Sequence, residues 1–304
     1  MDPQKIARDL QPNLKGELYC SEPMKKHTTW RVGGPADILI VPKSKADVAF
    51  VTSYAGKHSI PLYVIGNGSN ILVLDGGIRG IVLKLAGGLN QVNVAGNKVI
   101  AEAGIRLPAL AKKVLQHGLS GLEGLSAIPG TLGGALIMNA SAHGDSIGQL
   151  VKKVTCMSYQ GNILTLEESQ LHFTYRQSSL AQQNLLVLEA ELTLRPDDPG
   201  LIKVRMEKCQ KERMERQPLN LPNAGSVFKN PAGYAAGFLI EKGGAKGLRK
   251  GGAQVSEKHA NFIVNVGNAS AQDILELITC VQEKVYQAFN IMLETEIKVL
   301  GEGL

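Results

Sequence analysis

The segment Asn223-Ala-Gly-Ser-Val-Phe-Lys-Asn-Pro231 places a serine, a lysine and two asparagines between residues that break regular structure. Gly225 permits a backbone turn that a side chain would obstruct, and Pro231 fixes the direction in which the chain leaves. Such a loop can hold the Ser226 hydroxyl up to a ligand, where it could release a proton; the same composition alone also suits a polar surface turn. Two other loops offer bare backbone amides. The first, Ile65-Gly-Asn-Gly-Ser-Asn-Ile-Leu72, follows an apolar run and could cradle a pyrophosphate. Ile71 occupies the place where a nicotinamide-binding Rossmann fingerprint needs its third glycine, which argues against that fold. The second loop runs from Gly121 to Ala135 and continues through Asn139-Ala-Ser-Ala-His-Gly144. Either loop alone is as consistent with tight backbone packing as with a ligand; the two together favour a dinucleotide or another long phosphate compound.

Elements must present these loops. Runs rich in β-branched residues at Ala36 to Val41, Leu62 to Ile65, Gly80 to Leu85, Gln91 to Val94 and Lys98 to Ala103 read as strands separated by glycine and asparagine turns. Between them Ser44-Lys-Ala-Asp47 reads as a capping box, and a helix is expected from Pro108 to His117, ended by Gly118. A second strand group, Leu150 to Met157, Asn162 to Thr165 and Leu185 to Leu194, ends at the turn Arg195-Pro-Asp-Asp-Pro-Gly200, the expected domain boundary. A charged helix follows, in which Lys and Arg between Lys203 and Arg216 alternate with Glu207, Glu212 and Glu215, the pattern of a solvated surface with internal ion pairs. Arg213 and Arg216, near its end and just ahead of Pro218, are candidates to hold phosphate. Beyond the serine loop, Asn261 to Val266 reads as a strand and Ser270-Ala-Gln-Asp273 as a capping box. That box opens a helix whose Ile274, Ile278, Val281, Val285 and Phe289 share one face, a core stripe. The chain closes on an expected strand, Glu294 to Leu300.

Composition limits the alternatives. At 304 residues, 44% apolar and 20% charged, the chain has the make-up of a folded protein large enough for two cores. The net charge of +6 comes without a basic stripe interleaved with aromatics, and only 5% of residues are aromatic, so small anions suit it better than nucleic acid. Cys20, Cys156, Cys209 and Cys280 lack the close spacing of metal or redox motifs; reduced, mostly buried thiols and no metal are expected. The amino-terminal residues lack an apolar run behind a basic start, and no segment reaches membrane-spanning length, so a cytoplasmic enzyme is expected. Sequons at Asn67, Asn139 and Asn268 carry no weight without a secretion signal.

The order of motifs is more specific than any one of them. Thr29-Trp-Arg-Val-Gly-Gly-Pro-Ala-Asp37, the Gly66 loop, Ile128-Pro-Gly130 through His143-Gly144, Tyr175-Arg176, the serine loop, Ala253-Gln-Val-Ser-Glu-Lys-His-Ala-Asn261 and Leu293-Glu-Thr-Glu-Ile-Lys-Val-Leu-Gly301 follow one another along nearly the whole chain. In this the chain resembles the UDP-N-acetylenolpyruvoylglucosamine reductase (UDP-N-acetylmuramate dehydrogenase) family. The resemblance implies an α+β fold: an FAD-binding domain of the vanillyl-alcohol-oxidase (PCMH) type with two α+β lobes, residues 1–196, then a smaller α+β substrate-binding domain, residues 197–304. It implies a flavoprotein oxidoreductase, with FAD bound non-covalently and NADPH as reductant, that converts UDP-N-acetylglucosamine enolpyruvate to UDP-N-acetylmuramate for peptidoglycan synthesis, and so serves cell-wall biogenesis, cell shape and division. Its partner is that small-molecule substrate, with no nucleic acid and no membrane insertion; a monomer is expected, the oligomeric state being left open.

By the same resemblance, Arg176, Ser226 and Glu296 are catalytic. Spacing along the last strand would put Glu294 and Glu296 on one face and does not choose between them; the family pattern selects Glu296. The implied cofactor contacts are Gly66, Asn67, Gly68, Ser69, Asn70, Ile128, Pro129, Gly130, Gly133, Gly134, Asn139, Ala142, His143 and Gly144. The implied substrate contacts are Tyr175, Arg213, Arg216, Lys229, Asn230 and His259. Two departures stand out. Ser141-Ala-His143 replaces a more usual Gly-Ala-Tyr, His143 being read as a contact and not a covalent flavin link. No insertion with an extra tyrosine separates Arg176 from Ser226, which implies the shorter subtype with a reduced lid.

Overall fold

The computed structural model describes residues 2–303. By compactness they form two units that interleave in sequence. One comprises the chain up to Cys20, Ile38–Asn67 and Gly80–Arg213; the other comprises Ser21–Asp37, Gly68–Arg79 and the chain from Met214 onward. Each has its own apolar core. Leu10, Ile38, Ile81, Val99, Leu110, Leu136, Val154 and Leu192 belong to the first, and Trp30, Leu72, Phe228, Leu239, Ile274 and Val281 to the second.

In the first unit an antiparallel sheet has the order Ile163–Glu167, Val151–Met157, Leu186–Thr193, Lys98–Glu102, Val92–Ala95. Its strand Leu186–Thr193 buries Leu188, Ala190 and Leu192, while the alternate Glu189 and Glu191 reach Lys45 and Lys98 at 2.5 and 3.4 Å. Another sheet has the order Glu17–Pro23, Pro35–Val41, Ile78–Lys84, Leu62–Ile65, its last two strands being parallel with Ile65 opposite Lys84. That register puts the start of the first glycine loop beside a lysine.

Helix ends follow local chemistry, with one change from expectation. The helix Lys45–Lys57 is capped by the Ser44 hydroxyl, which accepts from the Asp47 amide at 3.1 Å. Asp47 does not complete a capping box: its buried carboxylate accepts instead from the amides of Lys43 and Lys15 at 2.7 and 3.2 Å. Leu107–Leu115 ends before Gly118, whose φ of +62° lies in the left-handed region. Pro199–Arg216 is less solvated than its charges suggest. It buries Ile202 and Met206, and Arg205 donates to Glu123 at 2.9 Å and to Asp197 at 2.5 Å. Within it, Lys203 and Glu207 form the expected (i, i+4) contact at 3.8 Å.

The second unit contains a sheet of order Arg249–Lys250, Ala253–Val255, Ile263–Asn265 and a helix, Ala271–Phe289. Ser270 and Asp273 close that helix's capping box, and Ile274, Ile278, Val281 and Val285 are buried; Phe289, the last helical residue before the αL residue Asn290, is instead 37% exposed. The closing strand is shorter than expected, Lys298–Leu300, parallel to Ile71–Val73. The residues before it pair with the serine loop through the bridge between Phe228 and Thr295, which removes them from the ladder. The four cysteines are free thiols; Cys156 is buried and the other three are half-buried, a shallower placement than expected. Among the described residues no helix is long and apolar enough to cross a membrane.

Candidate active site

In the first unit the two glycine loops are in contact. The Asn67 side-chain amide donates to the Pro129 carbonyl at 2.6 Å, and a Cβ at Gly66 would lie 2.3 Å from the hydroxyl oxygen of Thr131. Thr131, buried and absent from the candidates drawn from sequence, caps the short helix Leu132–Ile137 by accepting from the Gly134 amide at 3.3 Å. Gly133 approaches Ala103, donating to its carbonyl at 2.8 Å. Arg213 belongs here as well: its guanidinium donates to the Ala127 carbonyl, directly ahead of Ile128. Burial holds Arg213 below the usual guanidinium range. His143, at φ +54°, turns its Nδ1 to Glu212 at 3.4 Å.

Glu123 stiffens the second loop from within. Its carboxylate accepts from the Gly121 amide at 2.6 Å, from the Ser120 hydroxyl at 2.8 Å and from Arg205. Burial alone would raise its pKa; the hydrogen bonds from Gly121, Ser120 and Arg205 outweigh that and hold it below the ordinary carboxylate value.

Arg176 lies in the turn Thr174–Gln177, with φ +57°. Thr174 and Gln177 bond to each other's backbone, which closes the turn, while Asn139 donates to the Thr174 carbonyl at 2.9 Å. One guanidinium nitrogen donates to the Ser141 hydroxyl at 2.7 Å, and the guanidinium carbon lies 5.2 Å from the centre of the Tyr175 ring. Tyr175 itself is 53% exposed. Arg176 is thus fixed to the second glycine loop, through Ser141 and Asn139. Sequence gave no pairing for it, since 35 residues separate donor from acceptor.

The second unit arranges the serine loop. Gly225, at φ +77°, donates to the Asn223 side chain at 3.0 Å, a two-residue turn that leads into half-buried Ser226. Val227 then accepts from the Glu296 amide at 2.7 Å, and the Lys229 amide donates to the Glu294 carbonyl at 2.9 Å. Glu294 and Glu296, equivalent by spacing, are not equivalent in space. The side chain of Glu294 is 75% exposed and pairs with the Lys229 ammonium at 2.9 Å, whereas Glu296 is half-buried. Within the same unit, Asn70 donates to the Glu296 carbonyl at 3.2 Å. Gly68 packs on His27, where a Cβ would come within 2.1 Å of the carbonyl oxygen. Asn230 accepts from the Ala236 amide at 2.9 Å, and Arg216 is exposed at the end of its helix. His259 is half-buried; its Nδ1 accepts from the Asn261 amide at 3.3 Å, and burial lowers its pKa, so the imidazole is neutral with its proton on Nε2.

The residues present suit FAD. Gly66, Gly130, Gly134 and Gly144 leave backbone half-buried or exposed where a long ligand can approach, and a Cβ at Gly144 would meet nothing within 4 Å. Lys84, beside Ile65 at the entry to the first loop, is held below the usual lysine range by burial and by the charge of Arg106, whose backbone bridges Thr131. Lys84 and Arg106 thus place positive charge beside the two glycine loops. Sequence reasoning missed both, although a lysine closing an apolar strand was a readable sign.

Comparison with known proteins agrees with this arrangement. Residues 36–167 match the FAD binding domain family, and residues 217–300 match the family described as UDP-N-acetylenolpyruvoylglucosamine reductase, C-terminal domain. The UDP-N-acetylenolpyruvoylglucosamine reductase of Moorella thermoacetica is 48% identical over 100% of both chains. The crystal structure of the Thermus caldophilus reductase superposes with a TM-score of 0.81 at 36% identity, covering 95% of this chain and all of that one. An alkyldihydroxyacetonephosphate synthase, 18% identical, shares the fold alone at a TM-score of 0.51, over 64% of this chain and 40% of its own. The fold is therefore α+β, an FAD-binding domain of the vanillyl-alcohol-oxidase type together with the reductase C-terminal domain. The chain belongs to the UDP-N-acetylenolpyruvoylglucosamine reductase family.

Proposed function

We propose that this chain reduces UDP-N-acetylglucosamine enolpyruvate to UDP-N-acetylmuramate with NADPH, supplying a peptidoglycan precursor. The observation that carries this reading is the hydrogen bond from the Glu296 amide to the Val227 carbonyl at 2.7 Å, which pairs the segment bearing half-buried Glu296 with the serine loop at the residue after Ser226. Bound FAD would supply the hydride-transfer chemistry between NADPH and the terminal vinyl carbon of the substrate. Gly66 to Asn70, Ile128 to Gly130, Gly133, Gly134, Asn139 and Ala142 to Gly144 would hold it.

Hydride arrival at the vinyl carbon drives negative charge towards the neighbouring carbon and its carboxylate. Arg176, fixed by Ser141, opposes that charge with a planar fork that matches a carboxylate. Ser226 delivers its proton to the carbon bearing the ether oxygen. An isolated hydroxyl is a weak acid, so it needs both a fixed position and neighbours that favour the anion it leaves. Lys229 is one such neighbour: its pairing with exposed Glu294 is a surface contact worth about 0–1 kcal/mol, weak enough to be exchanged. Glu296 polarises the substrate or returns a proton to Ser226. Tyr175, Arg213, Arg216, Lys229, Asn230 and neutral His259 contact the nucleotide sugar. Flavin binding is assigned to residues 1–196 and substrate binding to 197–304, in a monomer that works in the cytoplasm on a small molecule.

The test is a stopped-flow experiment on purified protein loaded with FAD. The flavin absorbance bleaches on mixing with NADPH, then returns on anaerobic addition of the enolpyruvyl sugar. Bleaching without return refutes the assigned substrate, and a protein that takes up no flavin refutes the whole reading.

A further inference from the structure

We propose that Asn261 is the positioning residue that sets Ser226 for proton delivery and connects it to His259; the inference rests on the reading of Ser226 as proton donor. Asn261 is 4% exposed and makes three hydrogen bonds to the two residues that follow Ser226. Its side-chain nitrogen donates to the Phe228 carbonyl at 2.8 Å, its side-chain oxygen accepts from the Phe228 amide at 2.9 Å, and its backbone carbonyl accepts from the Val227 amide at 2.9 Å. An asparagine side chain here takes the place of a neighbouring strand, because its amide presents a donor and an acceptor side by side as a peptide does.

The other edge of the loop is held by Glu296 and Glu294, through the Val227 carbonyl and the Lys229 amide. Val227 to Lys229 is therefore gripped on both edges, while the preceding turn is closed by Asn223. Ser226 lies between those two constraints, so its direction follows from the grip on Phe228. Behind the grip, the Asn261 amide donates to His259 Nδ1 at 3.3 Å, so a movement of the His259 ring is felt by the residue that holds the loop. A displacement of about 1 Å at a reacting group costs on the order of 100-fold in rate. No other natural side chain of this size carries both members of the fork: aspartate lacks the donor to Phe228, and leucine lacks both.

Asn261→Asp and Asn261→Leu, loaded with FAD, are compared with the natural protein in the two half-reactions. Bleaching by NADPH is expected to stay within about twofold, recolouring by the sugar to slow by about 30-fold or more, and the solvent deuterium isotope effect on recolouring to rise as proton delivery becomes limiting. In a Ser226→Ala background, Asn261→Asp is expected to slow recolouring no further, because it acts through Ser226. Recolouring within twofold of the natural protein, equal slowing of both half-reactions, or full additivity with Ser226→Ala overturns the proposal. Where neither variant folds, amide hydrogen exchange of the natural protein decides: protection of Val227 and Phe228 before any ligand is added supports it, and exchange at open-loop rates refutes it. Failure of the natural protein to recolour is a different outcome, which removes the assigned function and the proton-donor role with it.

Discussion

Gly66→Ala isolates one contact between the two flavin loops. The new Cβ would lie 2.3 Å from the Thr131 hydroxyl oxygen and 3.4 Å from its Cβ and Cγ2, so the collision is with one atom. Relief requires Thr131 to rotate or the loops to part. Rotation removes the cap from Leu132–Ile137, worth about 1 kcal/mol, and overpacking in a buried site adds about 1–3 kcal/mol. The expected loss is therefore about 2–4 kcal/mol in urea unfolding of the flavin-free protein, with flavin affinity about tenfold weaker or worse by fluorescence titration. Thr131→Ala alone should cost about 1 kcal/mol, that of the cap. In the double variant the oxygen is gone, and the remaining 3.4 Å contact is close to ordinary van der Waals distance, so Gly66→Ala should then cost little more. The cycle is thus expected to show coupling of about 2–4 kcal/mol, the whole cost of Gly66→Ala in the natural background. Additive costs, or a Gly66→Ala protein as stable as the natural one, would refute the claim that these loops are locked by this approach.

Ser226→Ala should leave NADPH bleaching intact and slow recolouring by about two orders of magnitude or more in stopped flow; equal slowing of both steps contradicts the proton-donor role. Arg176→Lys replaces a bidentate fork with a point charge, and recolouring is expected to slow by about tenfold or more, with natural rates ruling the carboxylate role out. Glu123→Gln should destabilise the protein by about 1–3 kcal/mol at pH 7, since buried donors lose their charged acceptor. The folded pKa of Glu123 is depressed, so its stabilisation is present above the unfolded value near 4.5 and is lost as pH falls through the lower folded value. Urea midpoints measured from pH 5 down to pH 3 should therefore fall less steeply for Glu123→Gln than for the natural protein, and parallel curves would exclude the linkage.

The comparison of Glu294 with Glu296 shows where reading the sequence stops. Alternation made them equivalent, because an isolated strand has only two faces; the pairing of Val227 and Lys229 with this segment separated an exposed carboxylate from a half-buried one. Asp47 illustrates the same limit at a helix cap, where the amides of Lys15 and Lys43 captured a carboxylate that local pattern assigned to its own helix. Asn261 was quoted as the end of a motif without a role, since its partner Phe228 lies 33 residues away.

What the residues decided by themselves were the strands and helices, the glycine turns, the serine loop and the family, all written in short-range periodicity or in the order of motifs. What only tertiary structure decided was which groups face one another: Arg176 on Ser141, Arg213 on the Ala127 carbonyl, Lys84 beside Arg106, and Asn261 on Phe228. The reason is physical. Turn and helix preferences act within a few residues, whereas a buried hydrogen bond or charge pair is set by packing between segments whose separation along the chain carries no trace of it.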